Sequence, residues 1–260
     1  MENGSATVFV TPLGADTLAA VRSKYGTGRP QTGVRTPDMR IGALPIDRFV
    51  VDNAINVVVM PAHGRNVIVR AVRGTIDDHV VRQTPVPVIV IHPLQPCEHQ
   101  HEDLQHVAIP LDGTPGSERA IEAVAAIDPD CRLRYTLLQI VRGPVADTFG
   151  AVVGAQINDI EASHGRAHAQ DYLESVADRL RARGAQVDPR VVVQDDTGRA
   201  LLDEIDRLDV DLIAMTTHSR TGWWHHDIGS IAAKVLRHTS VPVMLFNTTA
   251  AVPDAVGAST

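Results

Sequence analysis

Short aliphatic runs alternate along this chain with longer stretches whose apolar residues recur every three or four positions. Val57-Val58-Val59-Met60, Val86-Pro87-Val88-Ile89-Val90-Ile91, Leu212-Ile213-Ala214-Met215 and Val241-Pro242-Val243-Met244-Leu245-Phe246 are apolar throughout. They lack the in-out alternation of a half-exposed strand, so they predict strands covered on both faces, as in a parallel sheet. His106 to Leu111, Arg134 to Val141 and Val187 to Val193 read as further strands. Between them, Ser117 to Ile127 predicts a helix with Ile121, Val124 and Ala125 inward. Gln170 to Arg183 predicts another, with Leu173, Val176 and Leu180 on one face. Thr197 is the expected N-cap of a third, bearing Leu201, Ile205 and Leu208. Strand and helix in strict alternation imply a doubly wound, mainly parallel α/β sheet. Residues 143–169 are long and mixed and read as a loop before the helix at Gln170, with at most a short helical turn.

The pattern occurs twice. Met60 to Ile91 lies over Met215 to Phe246 at an offset of 155 without a gap. Eleven of 32 positions are identical, among them His63/His218, Arg65/Arg220, Gly74/Gly229, Thr84/Thr239 and Pro87/Pro242. Chance would give about two at ordinary residue frequencies, so duplication is the simplest account. In each copy a strand is followed by a polar loop, then Gly74-Thr75 or Gly229-Ser230 opening a helix, then a second strand. The second copy extends back through three more strands. The first starts late: Thr7-Val8-Phe9-Val10 matches the second strand of the unit, Ala15 to Lys24 the helix before the third, and Met39 to Asn53 the approach to the fourth. On this reading the opening strand and helix have no counterpart. The expected divisions are a truncated unit over 1–93, a linker over 94–105, a complete unit over 106–248 and a loose tail over 249–260.

Composition narrows the function. The chain has 260 residues, 44% of them hydrophobic and only 3% aromatic, so the core is aliphatic. A formal net charge of −7 argues against nucleic-acid binding, which usually needs a basic excess. Two cysteines, Cys97 and Cys131, give no disulfide framework. Neither a signal peptide nor a membrane-spanning run is visible, and a cytoplasmic location is the expectation.

Three features together resemble the universal stress protein family. They are His106-Val107-Ala108-Ile109-Pro110-Leu111-Asp112-Gly113-Thr114, the run from Met215 to Ser230, and Val-Pro-Val in the last strand. The resemblance covers Gln105 to Asn247 fully and about Thr7 to His92 in shortened form. It implies two adenine nucleotide α-hydrolase-like domains with strand order 3-2-1-4-5, the first lacking its opening β-α unit. It also implies that the last strands, Val86–Ile91 and Val241–Phe246, pair antiparallel and make an intramolecular pseudo-dimer. Whether two chains pair again is left open. The nucleotide-binding members carry Gly-x-x-Gly, nine residues, then Gly-Ser/Thr. Carried onto the second unit, the site comprises Pro110, Leu111, Asp112, Ile140, Met215, Thr216, Ser219, Gly229, Ser230 and Ile231. Asp112 would accept ribose hydroxyls and Ile140 would lie against adenine. Gly229-Ser230 would offer free N–H groups and a positive helix end to phosphate. Thr216 and Ser219 stand where the first two glycines belong, and a Cβ there narrows the cradle. In the first unit Gly64, Gly74 and Thr75 match, but Pro61 replaces the first glycine and no aspartate-bearing strand is expected; no nucleotide is expected there.

Two function classes follow. One is a stress-response or regulatory protein binding ATP weakly at the second unit, with Mg only alongside ATP. The other is a nucleotide-independent scaffold acting through protein contacts. No catalytic residue is proposed: there is no Gly-x-Ser-x-Gly elbow and no Walker A sequence, and slow ATP hydrolysis is the most the family implies. Cys97, His99, His101 and His106 cluster without a zinc pattern, and no metal is expected. Trp223-Trp224-His225-His226 reads as a packing segment or a lid, and Asp195-Asp196 as stabilising the helix that follows.

Overall fold

The computed structural model describes residues 8–10, 50–52, 55–61, 81, 84–91, 104–125, 127–143, 153–217 and 229–247. Among them are eight strands: β1 Val8–Val10, β2 Val57–Pro61, β3 Val88–Ile91, β4 His106–Pro110, β5 Arg134–Val141, β6 Gln186–Val193, β7 Leu212–Thr216 and β8 Val243–Phe246. Four helices follow the same order: α1 Pro115–Ala125, α2 Val153–Arg181, α3 Thr197–Leu208 and α4 Ser230–His238. All eight strands lie in one sheet, ordered β1-β2-β3-β8-β7-β4-β5-β6. Every neighbouring pair is parallel except β3 and β8.

Strands β4 to β8 show why this topology is doubly wound. From β4 the chain steps outward to β5 and β6, and α1 and α2 cover one face. It then returns across β4 to β7 and β8, and α3 and α4 cover the other. Two cores result. Ala120, Val124, Leu173, Val176 and Leu180 pack with Val107, Ile109 and Leu137 on the first face. Leu201, Ile205, Ala232, Val235 and Leu236 pack with Ala108, Leu138, Ile213 and Leu245 on the second. Both cores run across the β3–β8 junction and include residues of β2 and β3.

The duplication reappears in three dimensions. Buried Val50, Ile55, Val58, Met60, Val81, Thr84 and Val86 are the offset partners of buried Ile205, Val210, Ile213, Met215, Leu236, Thr239 and Val241. Val58 N–H donates to the Pro87 carbonyl at 2.9 Å, and Ile213 N–H donates to the Pro242 carbonyl at 3.0 Å. Each proline thus precedes its strand and still serves the ladder through its carbonyl, where its missing donor costs nothing.

Four expectations need correction. First, β1 does not occupy the second-strand position. Val8 pairs with Val57 as Val107 pairs with Leu212, so β1 holds beside β2 the place that β4 holds beside β7. The first copy has a strand in the opening position, and counterparts of β5 and β6 are what the described residues lack there. Second, residues 153–169 are helix rather than loop. The helix α2 runs for 29 residues, about 43 Å at 1.5 Å per residue, against about 26 Å for β6. A methyl group at Gly165 would come within 3.3 Å of Val141 Cγ1, so the helix passes the last residue of β5 there. Its amino-terminal turns therefore extend past the carboxyl edge of the sheet. Third, α1 begins at Pro115 and turns Ala120, Ala123 and Val124 inward, with Ile121 at the margin of the core. Fourth, the N-cap of α3 is Asp196, one residue before Thr197.

Candidate functional site

The switch point lies between β4 and β7, and the ladder opens there. Pairing of β4 with β5 continues to Pro110↔Leu138, and pairing of β7 with β8 to Thr216↔Phe246. Between β4 and β7 only Val107↔Leu212 and Ala108↔Ile213 are paired. Ile109 and Pro110 on one side, and Ala214, Met215 and Thr216 on the other, run past the last shared pair. The helices that follow them, α1 and α4, lie on opposite faces of the sheet. Such a split at the carboxyl ends of parallel strands is where open α/β sheets bind ligands.

One lip is the turn after β4. Asp112 is exposed, and its Oδ1 accepts from Thr114 N–H at 3.0 Å and from Thr114 Oγ1 at 2.6 Å. Gly113 lies in the left-handed region, with φ +82°, which a Cβ would strain. Ser117 Oγ donates to the Thr114 carbonyl at 2.8 Å and holds the turn against the start of α1. Behind it, the Tyr172 hydroxyl is buried near Ser117 and Glu118 without reaching hydrogen-bond geometry to either. Burial, then the Glu118 charge, pushes its phenol up to about 12. The turn also sits over Gln139, whose amide nitrogen lies 3.4 Å from where a Gly113 Cβ would be.

The other lip is the start of α4. Gly229 caps the helix with extended backbone, and Ser230 and Ile231 are exposed in its first turn. Gly229 N–H donates to the Thr217 carbonyl at 3.1 Å, and a Cβ at Gly229 would stand 3.2 Å from that oxygen. Thr217 N–H in turn donates to the Phe246 carbonyl at 3.0 Å. Gly229 therefore closes the stem of the connection that leaves β7, whatever is bound. Thr216, on a glycine position, is half-buried at the end of β7.

Of the sequence-derived residues, the two lips bring Pro110, Asp112, Thr216, Gly229, Ser230 and Ile231 to one edge of the sheet. Ile140 stands near the end of β5 and packs on the α3–α4 core. Leu111 turns its side chain into the α1–α2 core and Met215 into the other, so both can offer only backbone. Ser219 lies outside the described residues, as do His218, Arg220, Trp223, Trp224, His225 and His226. So do Gly64, Gly74 and Thr75 of the first unit, and Cys97, His99 and His101. His106 is buried in β4: its Nδ1 accepts from the Arg134 guanidinium at 2.8 Å, leaving Nε2–H to donate to Thr136 Oγ1 at 2.8 Å. Among the described residues no group of three or more His, Cys, Asp or Glu is placed to hold a metal, and no helix is long and apolar enough to cross a membrane. Sequence reasoning missed Thr114, Ser117 and Gly113, which shape the Asp112 turn. The signal was present in Asp112-Gly113-Thr114, the pattern of an Asx turn.

A profile of the universal stress protein family matches residues 36–92 and 104–247, most of the chain. This chain belongs to the universal stress protein family. As a family member it carries the match in two segments, one in each copy of the repeat. A protein of unknown function from Pseudomonas aeruginosa aligns over 94% of this chain and 82% of its own, at 14% identity and a TM-score of 0.54. A universal stress protein from Archaeoglobus fulgidus aligns over 83% of this chain and 70% of its own, at 14% identity and a TM-score of 0.53. A family protein from Arabidopsis thaliana, solved with AMP bound, covers 55% of this chain and 91% of its own, at 15% identity and a TM-score of 0.39. Comparison with curated proteins gave no match.

The residues present fit a nucleotide in part. Asp112 on one lip suits sugar hydroxyls, and the first turn of α4 suits an anion. Thr216, half-buried at the end of β7, carries a side chain at the strand end beside the split.

Proposed function

We propose that the second unit binds an adenine nucleotide weakly at the carboxyl edge, in a protein of stress-response or regulatory role. One observation carries the reading: the ladder between β4 and β7 stops at Ala108↔Ile213, with Asp112 on one lip and Gly229-Ser230 on the other. Asp112 would accept from the ribose, Ile140 would support the base, and the α4 amino end would face phosphate. Thr216 disfavours a long phosphate chain, so the single phosphate of AMP should cost less to accommodate than the chain of Mg-ATP. The two units, joined through β3 and β8, would act as one chain's version of a dimer.

Calorimetry with AMP and with Mg-ATP tests this. One site per chain is expected, abolished by Asp112→Ala, with AMP at least as tight as Mg-ATP. Silence from both at millimolar concentration would sink the proposal. Thr216→Gly with Ser219→Gly should raise affinity for Mg-ATP; an unchanged value would remove the cradle argument.

A scaffold without nucleotide is the second reading, and two contacts favour it. Gly229 is already favoured by its close approach to the Thr217 carbonyl, and Asp112 Oδ1 is already held by Thr114. Both residues thus have architectural reasons to be present.

A further inference from the structure

Lys234 lies one helical turn after Ser230 on α4 and reaches the start of α3. Its ammonium group donates to both carboxylate oxygens of Asp196, at 2.8 Å each. Asp196 is at the same time the N-cap of α3, where its Oδ1 accepts from Arg199 N–H at 3.0 Å. One carboxylate thus terminates α3 and tethers α4. The Lys234 stem is laid across Gly198: a Cβ there would stand 2.5 Å from Lys234 Cδ, so the lysine stem would have to move aside to admit it. Gly198 is buried in the first turn of a helix, where glycine is otherwise unfavourable. Its absent side chain is the channel through which lysine crosses. The Asp196 carboxyl is held below its usual range, first by Lys234 and then by the Arg199 amide.

We propose that Lys234 is a positioning residue for the crevice: its bridge to Asp196 over Gly198 fixes the amino end of α4, and hence the Gly229-Ser230 lip, against α3. The bridge does not touch a ligand. It sets where the lip stands and neutralises the carboxylate closest to Lys234 on that edge. The charge term is screened by salt, whereas the packing over Gly198 is not. This inference rests on the nucleotide reading for its effect on affinity, but the clamp itself can be tested without ligand.

Two variants break the clamp by unrelated routes. Lys234→Met removes the charge and keeps most of the stem. Gly198→Ala keeps every charge and fills the channel, while favouring the α3 helix intrinsically. Both should weaken AMP binding by no more than about two- to fivefold, the scale of an exposed ion pair. Lys234→Arg, which can reach both Asp196 oxygens, should restore most of the affinity. The ligand-free readout is hydrogen exchange at Ala233, whose amide donates to the Gly229 carbonyl at 2.9 Å and closes the first turn of α4. Exchange there should accelerate severalfold in both Lys234→Met and Gly198→Ala and return to the parent rate in Lys234→Arg. Unchanged exchange at Ala233 in both clamp-breaking variants overturns the clamp, with or without nucleotide. Faster exchange with unchanged AMP affinity overturns the positioning role. If the parent chain binds no nucleotide, the function proposed above fails while the exchange measurement still decides the clamp.

Discussion

Glycine 229 has a role before any ligand is considered. The Thr217 carbonyl leaves no ordinary room for a Cβ, and that carbonyl accepts the Gly229 amide. Gly229→Ala should therefore destabilise the folded chain by about 1 kcal/mol, read as a lower urea midpoint without nucleotide. An unchanged midpoint would return Gly229 to a purely ligand-directed role. At the amino ends of the strands, His106 makes a pH prediction. Burial, and after it the Arg134 guanidinium, hold its imidazole below the ordinary 6.5. The unfolded chain takes up the proton more readily than the folded one. The stability linked to His106 is thus complete above the unfolded value and is lost as pH falls through the depressed folded value. His106→Gln should lower the urea midpoint near about pH 8, and the gap to the parent should narrow toward about pH 5. A gap that widens with acid would contradict the neutral, Arg134-bound ring. Neither residue disclosed this in the sequence. Gly229 read as a ligand glycine because its contact lies twelve residues earlier, and His106 read as part of a metal-like cluster because its partners are on another strand.

Elements were legible where they were buried. The parallel strands are apolar on both faces, so the runs at Val57, Leu212 and Val241 announced themselves. The amino-terminal part of α2 did not, since Gly154 and Gly165 weaken its local preference. The place of β1 was not legible either, because three apolar residues do not state their neighbour. The edge strand β6 carries a prediction of its own. The Gln194 amide donates to the Val141 carbonyl, so backbone groups of odd-numbered β6 residues point outward. Pro189 is one of them and has no donor to offer; the outward carbonyl of Val187 is taken by the Arg181 guanidinium at 3.1 Å. These are protections against edge-to-edge pairing. Pro189→Val combined with Arg181→Ala should increase self-association in sedimentation velocity relative to the parent chain. If association is unchanged, the edge is guarded by something else.

At the scale of the molecule, the repeat predicted more about architecture than about chemistry. Ile89 and Met244 are offset partners, and they face each other in the antiparallel ladder, flanked by Val88↔Leu245 and Val90↔Val243. The register is symmetric about that one pair, and residues from both copies enter both cores. Heat unfolding should then appear as a single cooperative transition, with calorimetric and van't Hoff enthalpies equal. Two resolved transitions would show that the units unfold separately. What the repeat concealed was the site. The lips depend on where one ladder stops, on a turn held by Thr114 and Ser117, and on a lysine lying across a glycine two elements away.

The β3–β8 junction has one more consequence. Two separate chains meeting through such strands would associate by mass action, and dilution would part them. Here both strands belong to one polypeptide, so their association has no concentration term. Each of the two strands already has the other as its antiparallel neighbour. The melting temperature attributable to this junction should not move when protein concentration changes a hundredfold. In effect, the duplication has turned a choice of partner into a property of the sequence.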